Sequence, residues 1–135
     1  MRHVLGAAAV ACVLAVAGCG APSGDLLGIE VTGGPAHVRE RIRVTDDGQA
    51  SCNGGALQQL SSQRVLDARE AKRLLKPLAK QGTTYASGPA GARHYLATSF
   101  DGSVSWTEGA AGPAALARAT LLALQLERQL CHGPG

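Results

Sequence analysis

Val38-Arg39-Glu40-Arg41-Ile42-Arg43-Val44-Thr45 constrains the fold more than any other run in the chain. Side chains alternate across a strand, so Val38, Ile42 and Val44 share one face and Arg39, Arg41 and Arg43 line the other. A strand of this kind is stable only when one face is covered and the other meets water. Glu40 is the one misfit on the covered side. Asp46-Asp47-Gly48 follows as a hairpin turn, and Gln49 to Asn53 returns as a short strand carrying Cys52. Gly28 to Thr32 reads as a first strand, with Ile29 and Val31 inward, and Gly33-Gly34-Pro35 turns the chain after it.

The cover comes from two helical patterns. Asp67 is the expected cap of the first, with Glu70 in the capping-box position and Ala71, Leu74, Leu75 and Leu78 as its apolar stripe. Pro77 should kink this helix or end its regular part near Lys76, and Gly82 should terminate it. Pro113 fits the first position of a second helix running to about Cys131. Leu116, Ala119, Leu122, Ala123, Leu126 and Leu130 form its apolar face. Glu127 falls inside that face. A carboxylate there must meet a cation from the sheet or lie where the helix overhangs its edge. If it is paired and buried, Glu127→Gln is expected to cost more than Glu127→Leu.

Between the helices, Arg93 to Phe100 and Ser103 to Glu108 form a hairpin around Asp101-Gly102. A two-residue turn there sets Phe100 opposite Ser103 and Ala97 opposite Trp106. Tyr95, Ala97, Val104 and Trp106 then share the inner face. Leu57 to Val65 reads as a loop with a short strand near Gln63 to Leu66, and residues 85–92 as a loop. These elements define an α+β fold: an antiparallel sheet of four to six strands with two helices packed on one face. Its aromatics are Tyr85, Tyr95, Phe100 and Trp106, so the core is aliphatic and offers no stacking platform for bases or sugars.

The N-terminus has a different character. Met1-Arg2-His3 precedes an uncharged apolar run from Val4 to Val16, shorter than the ~20 residues of a spanning helix. Val16-Ala17-Gly18-Cys19 closes it and resembles the lipobox of bacterial lipoproteins. That resemblance implies that residues 1–18 are a signal peptide and that Cys19 gains a diacylglyceryl thioether and becomes the mature N-terminus. An ordinary signal peptide cut nearby and an uncleaved N-terminal anchor are the alternatives. Residues 19–28 are expected to be a flexible tether, 29–132 a single domain and 133–135 a tail.

With Cys12 removed and Cys19 lipidated, Cys52 and Cys131 are the remaining thiols of an exported chain, which reads as one disulfide. They fit no C-x-x-C motif, so a structural staple is favoured over a redox or metal pair. Of the 13 Lys and Arg only Arg2 precedes Cys19, and all 10 Asp and Glu follow it. The mature charge is therefore near +2, too weak for a nucleic-acid binder.

Tests for chemistry return little. His37, His94 and His132 show no metal-ligand spacing. No G-x-S-x-G or S-x-x-K frames a nucleophile. Gly33-Gly34 and Gly54-Gly55 lack the strand–loop–helix setting of a phosphate cradle. No cofactor, no metal and no enzymatic activity are expected. Arg39, Arg41 and Arg43 are expected first as a solvated sheet face, and second as a contact for anionic headgroups or an acidic partner. Strand Ile29-Glu30-Val31-Thr32-Gly33-Gly34, a second strand, a Leu-rich helix, a hairpin and a Pro-started terminal helix together resemble the layout of emfourin-like protease inhibitors. That resemblance implies binding to a thermolysin-type metalloprotease.

The expected protein is thus a monomeric lipoprotein at the extracytoplasmic face of the cell membrane, acting as a non-enzymatic binding module. Its expected partners are the membrane, through the lipid on Cys19, and an extracytoplasmic protein such as a protease. A metalloprotease inhibitor is the alternative, and a small envelope enzyme is disfavoured.

Overall fold

The computed structural model describes residues 24–133. The expected signal peptide, Cys19 and the last two residues of the tail lie outside the described residues. Strands β1 (Asp25–Gly33), β2 (Val38–Thr45), β3 (Gln49–Cys52) and β4 (Gln58–Gln59) precede helix α1 (Ser62–Gln81). Strands β5 (Thr84–Tyr85), β6 (Arg93–Ser99) and β7 (Gly102–Thr107) lead to α2 (Ala114–Leu126), which continues as a π-helical turn over Glu127–Cys131. The strands form one sheet in the order β4-β3-β2-β1-β6-β7-β5. The first strand is therefore central, with a hairpin on each side.

The fold is α+β, with both helices packed against the sheet and one disulfide. Seven strands replace the expected four to six because two edge strands of two residues each carry no periodicity. One of them, β5, pairs parallel to β7, so the sheet is not purely antiparallel. β1 begins at Asp25, inside the stretch expected as tether. An irregularity in its register against β2, between Asp25 and Leu27, lets Leu26 and Leu27 both turn inward.

The core follows the two periodicities. Ile29, Val31, Ile42, Val44, Tyr95, Ala97, Val104 and Trp106 are buried on the sheet. Ala68, Ala71, Leu75 and Ala79 of α1, and Leu116, Ala119, Leu122, Ala123 and Leu126 of α2, close over them. Tyr95 and Trp106 stack with centroids 5.3 Å apart. Trp106 Nε1 donates to Thr120 Oγ1 at 2.8 Å, which satisfies the one polar atom that the indole brings inside.

Several local expectations are corrected. The first concerns the start of α1. Ser61, not Asp67, is its N-cap, and its hydroxyl accepts from the Arg64 amide at 3.2 Å. Asp67 lies within the helix and pairs with Arg64. The strand expected near Gln63 is the first turn of that helix, and the true N-cap was hidden because Arg64 occupies the third helical position, where a capping box has an acid.

The second is that the helix does not end at Lys76. The helix continues to Gln81 because Ala79 is anchored in the core and Gly82 caps the end in the left-handed region, at φ 62°. Pro77 itself is exposed, so its ring displaces no packing.

The third is the register of the second hairpin. Tyr95 lies opposite Trp106, Ala97 opposite Val104 and Ser99 opposite Gly102. The turn is Phe100-Asp101, with Gly102 already in the strand. A Cβ on Gly102 would sit 2.4 Å from the Ala79 carbonyl oxygen, and its φ is +128°. The glycine is there for the close approach of α1. The slip moves each partner by two residues, so the four inner side chains keep their face. Pro113, expected at the first helical position, is instead the N-cap of α2.

Candidate functional site

The arginine ladder behaves as its alternation implies. Arg39, Arg41 and Arg43 are exposed on the sheet face away from the helices. Glu30 sits directly opposite Arg41 in the ladder, and its Oε1 accepts from Arg41 Nη2 at 2.6 Å and Nε at 3.0 Å. Arg43 pairs with Asp25. Arg39 makes no ion pair among the described residues. Such exposed pairs are worth ~0–1 kcal/mol each, so they order the face more than they stabilise the fold. A groove of about 820 Å³ runs over this face, lined by the three arginines with Thr32, Asn53 and Leu57 among others.

Cys52 ends β3 and Cys131 ends the π turn. They form a disulfide with Cα atoms 5.3 Å apart, within ordinary bridging distance. The bond ties the end of the terminal helix to the outer half of the sheet.

Beside that bond lies a second cluster, built from the two misfits of the sequence. Glu127 is 3 % exposed and its Oε2 accepts from Arg93 Nη1 at 2.6 Å. The cation does come from the sheet, from the start of β6. Glu40, on β2, is 12 % exposed, and its Oε1 lies 3.4 Å from His132 Nε2. Donor atoms of Glu40, Glu127 and His132 all lie within 4.8 Å of one another. Glu40 Oε2 and Glu127 Oε1 are shielded from solvent and have no hydrogen-bond partner.

The electrostatics follow from this crowding. Burial pushes the Glu40 carboxyl above its ordinary value of 4.5, and the close approach and charge of Glu127 push the same way. His132 and Arg93 oppose them. Burial is also the largest influence on Arg93 and would lower its pKa. Its bond to Glu127 and the charge of Glu127, with help from Tyr95, outweigh burial and hold the guanidinium charged.

The sign of the resulting pH dependence is fixed. The folded state holds the Glu40 proton more tightly than the unfolded chain does. The associated stability is present below pH 4.5 and is lost as pH rises through the raised folded value. Urea unfolding in EDTA should show Glu40→Gln gaining stability over the parent as pH rises from 4.5 to 8. A constant difference between the two proteins across that range would contradict the raised Glu40 value.

His37 and His94 stand apart from the cluster. His37 is in the turn after β1, and His94 Nδ1 is 3.0 Å from Thr107 Oγ1. Among the described residues no helix is long and apolar enough to cross a membrane. Compared with family models, curated proteins and solved structures, the chain matches none.

Proposed function

We propose that this chain is an exported lipoprotein: a non-catalytic binding module held at the outer face of the cell membrane by lipid on Cys19. Its groove over β1, β2 and β3 receives an acidic segment of an extracytoplasmic protein. The observation that carries this reading is the uncovered sheet face. Both helices lie on the other side, so the arginine ladder floors an open groove of about 820 Å³. Arg39 is the arginine of the ladder that makes no ion pair among the described residues, and an acidic segment would also compete with Glu30 for Arg41. The Cys52–Cys131 disulfide supports an oxidising compartment. Five residues separate Cys19 from the start of β1 at Asp25, so a lipid on Cys19 would keep the groove near the bilayer.

Photo-crosslinking in intact cells tests the proposal. A photoreactive residue at Thr32 or Leu57 in the groove should trap one protein partner, and Arg39→Glu should abolish most of the yield. The same probe at Leu66 or Leu121, exposed on the helical layer, should not. Equal trapping from both layers, or trapping of lipid alone from the groove, would overturn it. A second reading, inhibition of a thermolysin-type metalloprotease, draws on the emfourin-like layout. The observed order of four strands, α1, the two-residue β5, a hairpin and a Pro113-capped terminal helix contains that layout with additional strands. Purified protein that leaves thermolysin activity unchanged would exclude this reading.

A further inference from the structure

We propose that Glu40, Glu127 and His132 form a zinc site that clamps the end of the chain onto β2. The cluster first lacks a positive charge. Two carboxylates and one guanidinium meet where solvent is mostly excluded, with Glu127 3 % and Glu40 12 % exposed. One negative charge is left over unless a proton or a metal ion lies between the carboxylates, and an uncompensated buried charge costs several kcal/mol.

The second observation is the pair of orphaned oxygens. Each carboxylate uses one oxygen on a neighbour: Glu127 Oε2 on Arg93, Glu40 Oε1 toward His132. The other oxygen of each, Glu127 Oε1 and Glu40 Oε2, is buried and has no partner. A buried acceptor without a donor is unfavourable, and a cation satisfies both oxygens together.

The backbone arranges the third ligand. In an α-helix, residues five apart point about 140° away from each other. The π turn closes a hydrogen bond from the His132 amide to the Glu127 carbonyl, at 3.3 Å, and so stacks the two residues. The disulfide at Cys131 holds that end in place. Donors around a tetrahedral zinc lie about 3.4 Å apart, so atoms within 4.8 Å need a modest closure. His132, 58 % exposed, is free to make it and leaves an entry path from solvent.

The donor set selects the metal. One imidazole with two carboxylates suits zinc over magnesium or calcium, which take oxygen alone. Arg93 is then an outer partner, fixing the orientation of Glu127 by holding its other oxygen.

The test uses the full chain, purified in detergent, stripped with EDTA and titrated with zinc against a chromogenic chelator. One zinc per chain is expected, unaffected by excess magnesium or calcium. His132→Ala, a surface change that leaves the core alone, should weaken binding by at least about tenfold, as should the isosteric Glu40→Gln. His37→Ala, outside the cluster, should bind as the parent does. No zinc uptake, displacement by magnesium or calcium, or parental affinity in His132→Ala would overturn the proposal.

Discussion

The protein carrying both Cys52→Ala and Cys131→Ala is expected to lose about 3–4.5 kcal/mol of stability. The bond joins residues 79 apart in sequence. In the chain-entropy account a loop of that length restricts the unfolded state strongly, and the loss of that restriction sets the upper figure. The folded state should feel the change locally as well. β3 has four residues and is flanked on its outer side only by the two-residue β4. The π turn packs against β3 and β2, and Leu130 is buried there. Without the bond, amide exchange in residues 127–133 and in β3 should accelerate more than in β1 or β6. Chemical denaturation and hydrogen exchange check this. A loss below about 1 kcal/mol, with exchange rising evenly over the domain, would mean that packing alone holds the terminal turn.

The second large effect belongs to Arg93. Arg93→Ala should cost about 3 kcal/mol at neutral pH, because it leaves Glu127 buried beside Glu40 with no cation on the sheet to meet it. Glu127→Leu should cost far less. Arg93 is 23 % exposed and can swing toward water once its partner is gone. Glu127→Gln should be close to neutral, within about 1 kcal/mol. Its amide oxygen still accepts from Arg93, and its NH₂ group can donate to the orphaned Glu40 Oε2. This reverses the ranking that the helical pattern alone implies, in which the glutamine is the costlier change. The difference is Glu40, which no reading of the helix by itself places beside Glu127. Urea unfolding of the three variants decides the order. Arg93→Ala milder than Glu127→Leu would mean that water reaches the pair.

Both halves of that cluster are legible as anomalies, and the sequence matches Glu40 with Glu127 as misfits without placing them in contact. Glu40 breaks a period of two and Glu127 breaks a period of 3.6, so each stands out in its own element. Bringing them together requires the docking of α2 onto β2 and a π turn at its end, and neither leaves a periodic trace. Arg93 carried no signal because an arginine opening a strand is ordinary. His132 was noticed as a histidine without metal-ligand spacing. Its ligand partner is five residues back, a separation that an α-helix would turn away from it. The ladder of Arg39, Arg41 and Arg43 was legible because alternation is itself the burial pattern. Cys52 and Cys131 were paired by counting thiols. The two-residue strands β4 and β5 were beyond reach, since two residues have no period. The start of α1 was missed because Asp67 and Glu70 offer a better capping box than Ser61, whose third helical position is Arg64. The register of the second hairpin turned on Gly102, whose need for space is visible only once α1 is packed against it.

The proposed function joins an anchor, an oxidising compartment and an open binding face. Intact mass measurement of the native protein, recovered from the membranes of its own cells and weighed before and after reduction, tests the first two together. The expected species is a chain that begins at Cys19 and carries a diacylglyceryl group. It should gain the mass of two hydrogens on reduction, as the Cys52–Cys131 bond opens. A chain that keeps residues 1–18, that carries no lipid, or whose mass reduction leaves unchanged would contradict the proposal.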